Sequence, residues 1–235
     1  MGINYFKYAG RMSTDFGVWI SGEATYQSPE KDIEIVTVPG RNGSLSFDNN
    51  RFQNINIPYD AYIIDDFEKN FDAFKAFLGS VKGYARLSDT YHPDFYRMAR
   101  FYSAIEPEMT QLNRHGKFTI NFDCDPRRFL KSGEKKRDLV ASIALKNPTS
   151  FDALPMMRVY GTGTVTIGSI AVTINEADVY TDIDCDTQDA YKGNVNCNNK
   201  ITLTAGKFPV LKPGTNNIYL SGVSKVELTP RWWTI

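Results

Sequence analysis

The chain has 235 residues, and its 27 Lys and Arg are balanced by 27 Asp and Glu, so the formal net charge is zero. A neutral surface sets up no long-range field for phosphate, which argues against unassisted nucleic-acid recognition and against docking on an anionic membrane. Hydrophobic residues at 42% and charged residues at 23% lie close to the roughly 45–50% and 25% of folded globular domains, which excludes wholesale disorder and suits one long or two ordinary domains.

From the N-terminus, Ile3–Tyr8, Gly17–Ser21, Ile33–Val38, Ser44–Asp48 and Phe52–Tyr62 read as strands, because β-branched and aromatic residues dominate them and turn residues separate them. Ile33-Glu34-Ile35 and Ile55-Asn56-Ile57 alternate with the period of two that buries one face. Between the third and fourth runs, Pro39-Gly40-Arg41-Asn42-Gly43 reads as a hairpin turn, since Asn-Gly tolerates the positive φ that tight reversals demand. One helix interrupts the strands over 65–82. Asp65 and Glu68 have capping-box spacing, and Phe67, Phe71, Phe74, Phe77, Leu78 and Val81 recur at helical intervals until Gly83. Such an aromatic stripe calls for packing on a sheet rather than for a cofactor. Tyr84–Ser88, Phe95–Glu106 and Met109–Phe122 follow as strands, the last two joined as a long hairpin.

Composition changes near residue 131: 23 of the 31 aromatic residues lie at or before Lys131. The polar run Lys131–Arg137 reads as a linker. The expected organisation is therefore a first β-domain over 1–131 with its helix at 65–82, a linker at 132–137 and a second β-domain over 138–235. The second part shows short strands at regular intervals, Val159–Gly161, Thr164–Ile167, Ile170–Ile174, Val179–Ile183, Ile201–Ala205, Asn217–Leu220 and Val223–Leu228, which is the pattern of an antiparallel sandwich.

Three cysteines, Cys124, Cys185 and Cys197, and no basic start leading into an apolar stretch point to reduced thiols in a cytosol, without a secretion signal. No apolar run approaches the roughly 20 residues of a membrane helix. Asp182-x-Asp184-x-Asp186 resembles the opening of a calcium loop, but Thr187 and Gly193 stand where that loop needs Gly and a bidentate Glu. The simpler expectation is a solvated acidic face opposite Ile183 and Cys185, and the surrounding stretch Glu176–Asp189, which holds no basic residue, is a candidate contact for a basic partner. Gly161-Thr162-Gly163 reads as a hairpin between Thr-rich strands rather than a nucleotide-binding turn. His92 and His115 lack zinc-ligand spacing, and no nucleophile motif is present. Catalytic, cofactor and metal residues are accordingly none. Trp232, Trp233, Tyr180, Tyr191 and Tyr219 offer stacking surfaces for a sugar, although adjacent strand residues face opposite ways, so one tryptophan belongs to the core.

The order of motifs carries more than any one of them. Phe16-Gly-Val-Trp-Ile-Ser-Gly22, Val38-Pro-Gly-Arg-Asn-Gly43, Arg51-Phe-Gln-Asn-Ile-Asn-Ile-Pro-Tyr59, the single helix and Leu87-Ser-Asp-Thr-Tyr-His-Pro-Asp-Phe-Tyr-Arg-Met-Ala99 together resemble the N-terminal domain of siphophage distal tail (Dit) proteins. Asn121-Phe-Asp-Cys-Asp-Pro126, Asp184-Cys-Asp-Thr-Gln-Asp-Ala-Tyr191 and Gly206-Lys-Phe-Pro-Val-Leu-Lys-Pro-Gly-Thr-Asn216 extend the resemblance over nearly the whole chain. It implies a mainly β protein: an N-terminal sandwich or split-barrel-like β-domain with one helix and a long β-hairpin, then a C-terminal galectin-like antiparallel β-sandwich. It further implies a non-enzymatic virion protein made in the host bacterial cytoplasm and placed at the tail tip. There it would be the hexameric ring of the baseplate hub, single or stacked, used in host adsorption. Its partners would be the major tail tube protein, the tip of the tape-measure protein, a tail-associated hub protein and receptor-binding proteins, with no cofactor. Some relatives carry an inserted carbohydrate-binding module, for which this chain has no room. The candidate assembly residues are Pro39, Gly40, Arg41, Asn42 and Gly43 in the turn, with Met109, Leu112 and Arg114 in the later hairpin. Their strand-rich flanks and the family resemblance motivate the choice, and a surplus of aromatics over the needs of one core would suit interface centres. The alternative of a different class is a carbohydrate-binding module acting directly on host cell-wall glycans.

Overall fold

Alternation along the chain becomes sheet structure, and most of its strands find apolar cover for one face. In the computed structural model, which describes residues 4–22, 27–110 and 114–235, the chain divides into two units, residues 1–128 with Ile235, and Phe129–Thr234.

The first unit contains β1 (Phe6–Tyr8), β2 (Arg11–Met12), β3 (Val18–Ile20), β4 (Lys31–Thr37), β5 (Ser44–Phe52), β6 (Ile55–Ile63), α1 (Phe67–Ser80), β7 (Ala85–Asp89), β8 (Phe95–Arg100), β9 (Glu108–Thr110) and β10 (His115–Cys124). Seven strands form one antiparallel sheet in the order β2-β1-β7-β8-β10-β6-β3, with β9 also on β10. Its spine is the unbroken pairing of β6 with β10 from Ile55↔Cys124 to Ile63↔Gly116. Strict alternation puts Ile55, Ile57, Tyr59, Ala61 and Ile63 of β6 inward, and Phe118, Ile120, Phe122 and Cys124 of β10 beside them. The strand expected over Phe95–Glu106 ends at Arg100, and residues 101–107 run outside regular structure.

Helix α1 lays Phe67, Phe71, Phe74 and Leu78 on this sheet, as its spacing requires. Phe71 meets Phe118 edge-on at 5.2 Å, and Phe74 reaches Phe118 at 6.1 Å and Phe6 at 6.3 Å. The expected capping box is not what starts the helix. Asp66 is the N-cap, in the left-handed region at φ 49°, with no side-chain cap, while the Asp65 carbonyl accepts a bond from the Asn70 side chain at 2.9 Å. The aromatic surplus is likewise spent inside: Phe6, Tyr8, Phe16, Tyr59 and Phe122 join the helix stripe in a single buried cluster. Among the exposed large hydrophobics of this unit, the aromatic residues are Phe47, Tyr84 and Tyr102.

The second unit is a sandwich. Its two sheets use β12 (Arg137–Leu139), β13 (Ile143–Asn147), β14 (Met156–Tyr160), β15 (Gly163–Ile167), β16 (Ile170–Ile174), β17 (Tyr180–Asp184), β18 (Asp189–Lys192), β19 (Val195–Asn196), β20 (Ile201–Leu203), β21 (Gly214–Ser221) and β22 (Lys225–Thr229), while β11 (Arg128–Leu130), whose first residue closes the first unit, pairs with β23 (Trp233–Thr234) outside them. The sheet β12-β22-β14-β17-β18-β19 faces the sheet β13-β21-β15-β16-β20 across a core of Met157, Val159, Ile183 and Leu228 from one side and Val165, Ile167, Val172 and Ile218 from the other. Gly161-Thr162-Gly163 links β14 to β15, which lie in different sheets, so it is a corner and not the hairpin expected. The corner is tight: a Cβ on Gly163 would stand 2.4 Å from the Ser221 carbonyl.

The charged run read as a linker is folded. Lys131–Glu134 makes a 3-10 turn, Gly133 is buried, and its carbonyl accepts the Arg231 amide at 2.9 Å. Arg137–Leu139 is β12, at the edge of the six-stranded sheet. Edge strands carry charge to discourage pairing with other chains, and that composition is indistinguishable from a linker's in sequence.

The helix-on-sheet contact supplies a direct test. A Cβ on Gly116 of β10 would lie 2.1 Å from the Phe67 ring, so only glycine lets the helix sit this close. Gly116→Ala is expected to destabilise the first unit by about 1–3 kcal/mol, the usual cost of overpacking. Native-state hydrogen exchange at the amides of α1 and β10 should then accelerate by roughly one to two orders of magnitude. Adding Phe67→Leu should recover part of the loss, because the two changes meet in one contact.

Candidate assembly surfaces

Among the described residues, strands β4 and β5 pair only with each other, in a register of Ile33↔Asp48, Glu34↔Phe47, Ile35↔Ser46, Val36↔Leu45 and Thr37↔Ser44. Directly opposed residues share a face, and successive residues alternate. Ile33 and Ile35 therefore lie on one face of the ribbon, and Val36, Leu45 and Phe47 on the other. Both faces are open: Ile35 is 67% exposed and Phe47 55%. Charge is concentrated near the base, where Arg51 meets Asp32 at 2.5 Å and Lys31 meets Asp48 at 3.5 Å. Asn54, between β5 and β6, pins the ribbon to the main sheet by donating to the Tyr84 hydroxyl at 2.6 Å and to the Asp123 carboxylate at 3.0 Å.

Pro39, Gly40, Arg41, Asn42 and Gly43 form the exposed tip of this ribbon. Gly40 and Gly43 take the positive φ values, 78° and 80°, whereas Asn42 does not. The second set of candidates lies on another hairpin. Met109 belongs to β9 and is exposed, Arg114 is exposed just before β10, and Leu112 lies outside the described residues. The described members of the two sets thus sit on different parts of the unit, Pro39–Gly43 on the separate ribbon and Met109 and Arg114 beside β10 of the main sheet. The apolar faces of the ribbon, Ile33, Ile35, Val36, Leu45 and Phe47, were not among the candidates. Their alternation reads in sequence as a strand with a buried face, and nothing there reveals that no second layer covers it.

The acidic stretch of the second unit is not the solvated face expected. Asp182 and Asp184 are only 3% and 7% exposed. Arg158 grips Asp182 in a bidentate pair at 2.7 and 2.9 Å, and Arg231 does the same for Asp184 at 2.7 and 2.8 Å. Lys192 holds Asp178 at 2.6 Å. The basic partners come from neighbouring strands and loops, so a run without a basic residue in sequence is partly neutralised in space. β17 lies inside its sheet, between β14 and β18, and long side chains from its neighbours cover its outer face. With Asp182 and Asp184 taken up by arginines, the carboxylates of this stretch that remain exposed to a basic partner are Glu176, Asp178, Asp186 and Asp189. Among the described residues no group of three or more His, Cys, Asp or Glu is arranged to hold a metal ion.

Of the five aromatic residues considered for sugar stacking, Trp232, Trp233 and Tyr180 are engaged. Trp232 is 2% exposed, and Trp233 stacks on Phe151 at 4.4 Å while its indole N–H donates to the Asp152 carbonyl at 2.8 Å. The Arg158 guanidinium covers the Tyr180 ring at 4.1 Å. Tyr219 remains exposed.

These ion pairs make the second unit acid-sensitive. Burial pushes the Asp184 carboxyl up, but hydrogen bonds and charge from Arg231 outweigh it and hold the group below the usual carboxylate range. Lys136, Lys225 and the Tyr160 hydroxyl hold Glu227 at about 2, and Lys192 lowers Asp178. A carboxylate with a depressed folded-state value stabilises the fold above its unfolded value, and that contribution is lost as pH falls through the folded one. The melting temperature of the second unit should therefore drop as pH falls from about 5 towards 2. Asp184→Asn should flatten that drop and cost about 1–3 kcal/mol at neutral pH, since it leaves Arg231 half-buried without its counter-charge. Calcium chloride should leave the wild-type melting temperature unmoved.

No protein-family model and no curated protein matches the chain. Solved structures do. The Dit protein of phage SPP1, described as a paradigm of the hub adsorption apparatus in phages that infect Gram-positive bacteria, superposes with a TM-score of 0.78 over 100% of both chains at 15% identity. A chain of the phage P2 baseplate in its activated conformation with calcium gives 0.56 over 97% of both chains at 12% identity, and one from the form with strontium gives 0.55 at 11%. From end to end, this chain has the fold of a phage distal tail protein.

Proposed function

We propose that this chain is the distal tail protein of a siphophage: a non-enzymatic virion subunit that forms a hexameric ring at the tail tip and serves as the baseplate hub. The observation that carries this reading is the match to SPP1 Dit over the full length of both chains. Agreement over both units weighs more than agreement over one, because a β-sandwich alone serves many functions. In this reading the first unit makes the ring and meets the tail tube and the tip of the tape-measure protein. The galectin-like second unit projects outward and docks receptor-binding proteins, and a tail-associated hub protein lies below. The β4–β5 ribbon supports it, since exposed apolar side chains on both faces are what an assembly contact consumes. The buried Trp232, the stacked Trp233 and the covered Tyr180 weigh against direct glycan binding as the main role.

Negative-stain imaging with native mass measurement tests the reading. A ring of six copies with a central channel is expected, and a monomer at every concentration would refute it for the isolated protein. Ile35→Asp combined with Phe47→Asp should abolish the ring yet change the unfolding free energy by no more than about 0.5 kcal/mol, as befits exposed positions. Arg41→Glu and Leu112→Asp probe the ribbon tip and the second hairpin in the same assay, and each should weaken the ring.

A further inference from the structure

Strand parity aims a charged side chain at the inward face of the first unit. Arg97 of β8 lies opposite Leu87, and Leu87 and Ala99, the next inward residue of β8, are both buried. Asp89 of β7 shares that face and lies opposite Phe6. At this end of the core, two charges occupy positions that the same strands elsewhere give to apolar side chains.

The two charges do not neutralise each other. Asp89 is engaged on both oxygens: the Tyr59 hydroxyl donates to Oδ2 at 2.6 Å, and the His92 backbone N–H donates to Oδ1 at 2.8 Å. Arg97 is only partly engaged. Its Nη1 donates to the Pro126 carbonyl at 2.6 Å and to the Asp125 carbonyl at 3.4 Å. Its other N–H groups meet no acceptor among the described residues, and no carboxylate pairs with it. The nearby Asp125 carboxylate is taken by Arg127 at 2.8 Å. Arg128 adds a second guanidinium, 4.3 Å from the centre of the Phe95 ring and likewise without an ion pair or hydrogen bond among the described residues. Burial pushes the Arg97 guanidinium down to about 10, and the charge of Arg128 pushes in the same direction, which still leaves Arg97 cationic at neutral pH.

Arg97, Arg128, Asp89, Tyr59 and Phe95 all line one cavity of about 270 Å³, every lining residue of which belongs to the first unit. Planar guanidinium groups with unused N–H donors match the oxygens of a carboxylate or phosphate, and a partly desolvated wall strengthens the attraction. We propose that this cavity binds a compact oxyanion, a carboxylate or phosphate group, through the unused N–H donors of Arg97 and Arg128. Asp89, whose charge faces the same space, directs the anion to the arginine side.

Isothermal titration of the full chain reads the site, with sodium phosphate and, separately, an end-blocked triglutamate peptide as probes, against sodium chloride of matched ionic strength. At least one probe should bind with one-to-one stoichiometry. Arg97→Gln and Arg128→Gln should each weaken it on the order of tenfold or more, as expected when one charge-assisted donor set is removed. Within the fold itself Arg128→Gln forfeits only the contact with Phe95, so it carries the test should Arg97→Gln fail to fold. Binding of phosphate alone identifies a free anion as the source, and binding of the peptide, with or without phosphate, identifies an acidic side chain of a protein partner. Failure of both probes at millimolar concentration, or binding that Arg128→Gln leaves unchanged, overturns the proposal.

Discussion

The first unit depends on one contact, the face of α1 laid across β10. Phe67, Phe71, Phe74 and Leu78 are each nearly removed from water there, and burying such a side chain contributes roughly 1.5–3 kcal/mol. The same contact fixes the β6–β10 spine, because β10 presents Phe118 to the helix and Phe122 to Phe6 and Tyr8. It also fixes where the ribbon begins, since β5 passes into β6 within two residues and Asn54 ties that junction to Asp123 of β10. Gly116 is the position where this arrangement has no slack.

The second unit is organised differently. Its core is mainly aliphatic, with Met157, Cys185, Cys197 and Trp232 among the exceptions, and its outer polar surface is set by the pairs Arg158 with Asp182 and Arg231 with Asp184. Such pairs add little net stability over an apolar substitute, because two charges must leave water. Breaking one is another matter, for the survivor stays partly buried and unmatched. The pairs therefore act mainly on register. A slip of β17 by one residue would turn Asp182 and Asp184 into the core and Ile183 outward, and Arg158 would face no carboxylate.

Periodicity and turn chemistry made the fold class and the single helix with its inward stripe legible, since these depend on local spacing. Three features were not legible, each because it depends on what lies across space. The acidic run looked solvated because its counter-charges are Arg158, Lys192 and Arg231, two of them more than twenty positions away in the chain. The segment Lys131–Arg137 looked like a linker because an edge strand and a linker share a composition. The aromatic surplus suggested an interface, yet most of it is consumed by the helix and sheet of the first unit. Of the candidate assembly residues, Pro39–Gly43 read correctly as a turn, but the apolar faces behind that turn could not be seen as uncovered. The Arg97 and Arg128 cavity left no sequence motif, because its members come from β8 and from the end of the unit and meet only in the folded chain.

The ribbon is the part of the molecule whose burial is unfinished. A two-stranded hairpin is marginal in water without further cover, and its open edges and apolar faces invite unwanted pairing. The charges at its base, Lys31, Asp32, Asp48 and Arg51, guard one end, but toward the tip the strands carry only Glu34. One flat partner would cover Ile33 and Ile35 or would cover Val36, Leu45 and Phe47, never both sets, because alternation sends them to opposite sides. Complete burial thus requires the ribbon to lie between two surfaces. An isologous dimer offers each ribbon one partner chain, whereas a subunit in a closed ring has a neighbour on each side, through interfaces that are not alike. A ribbon apolar on both faces fits the second arrangement. The even balance of 27 cationic and 27 anionic residues fits it as well, since copies can be brought around a ring without accumulating like charge.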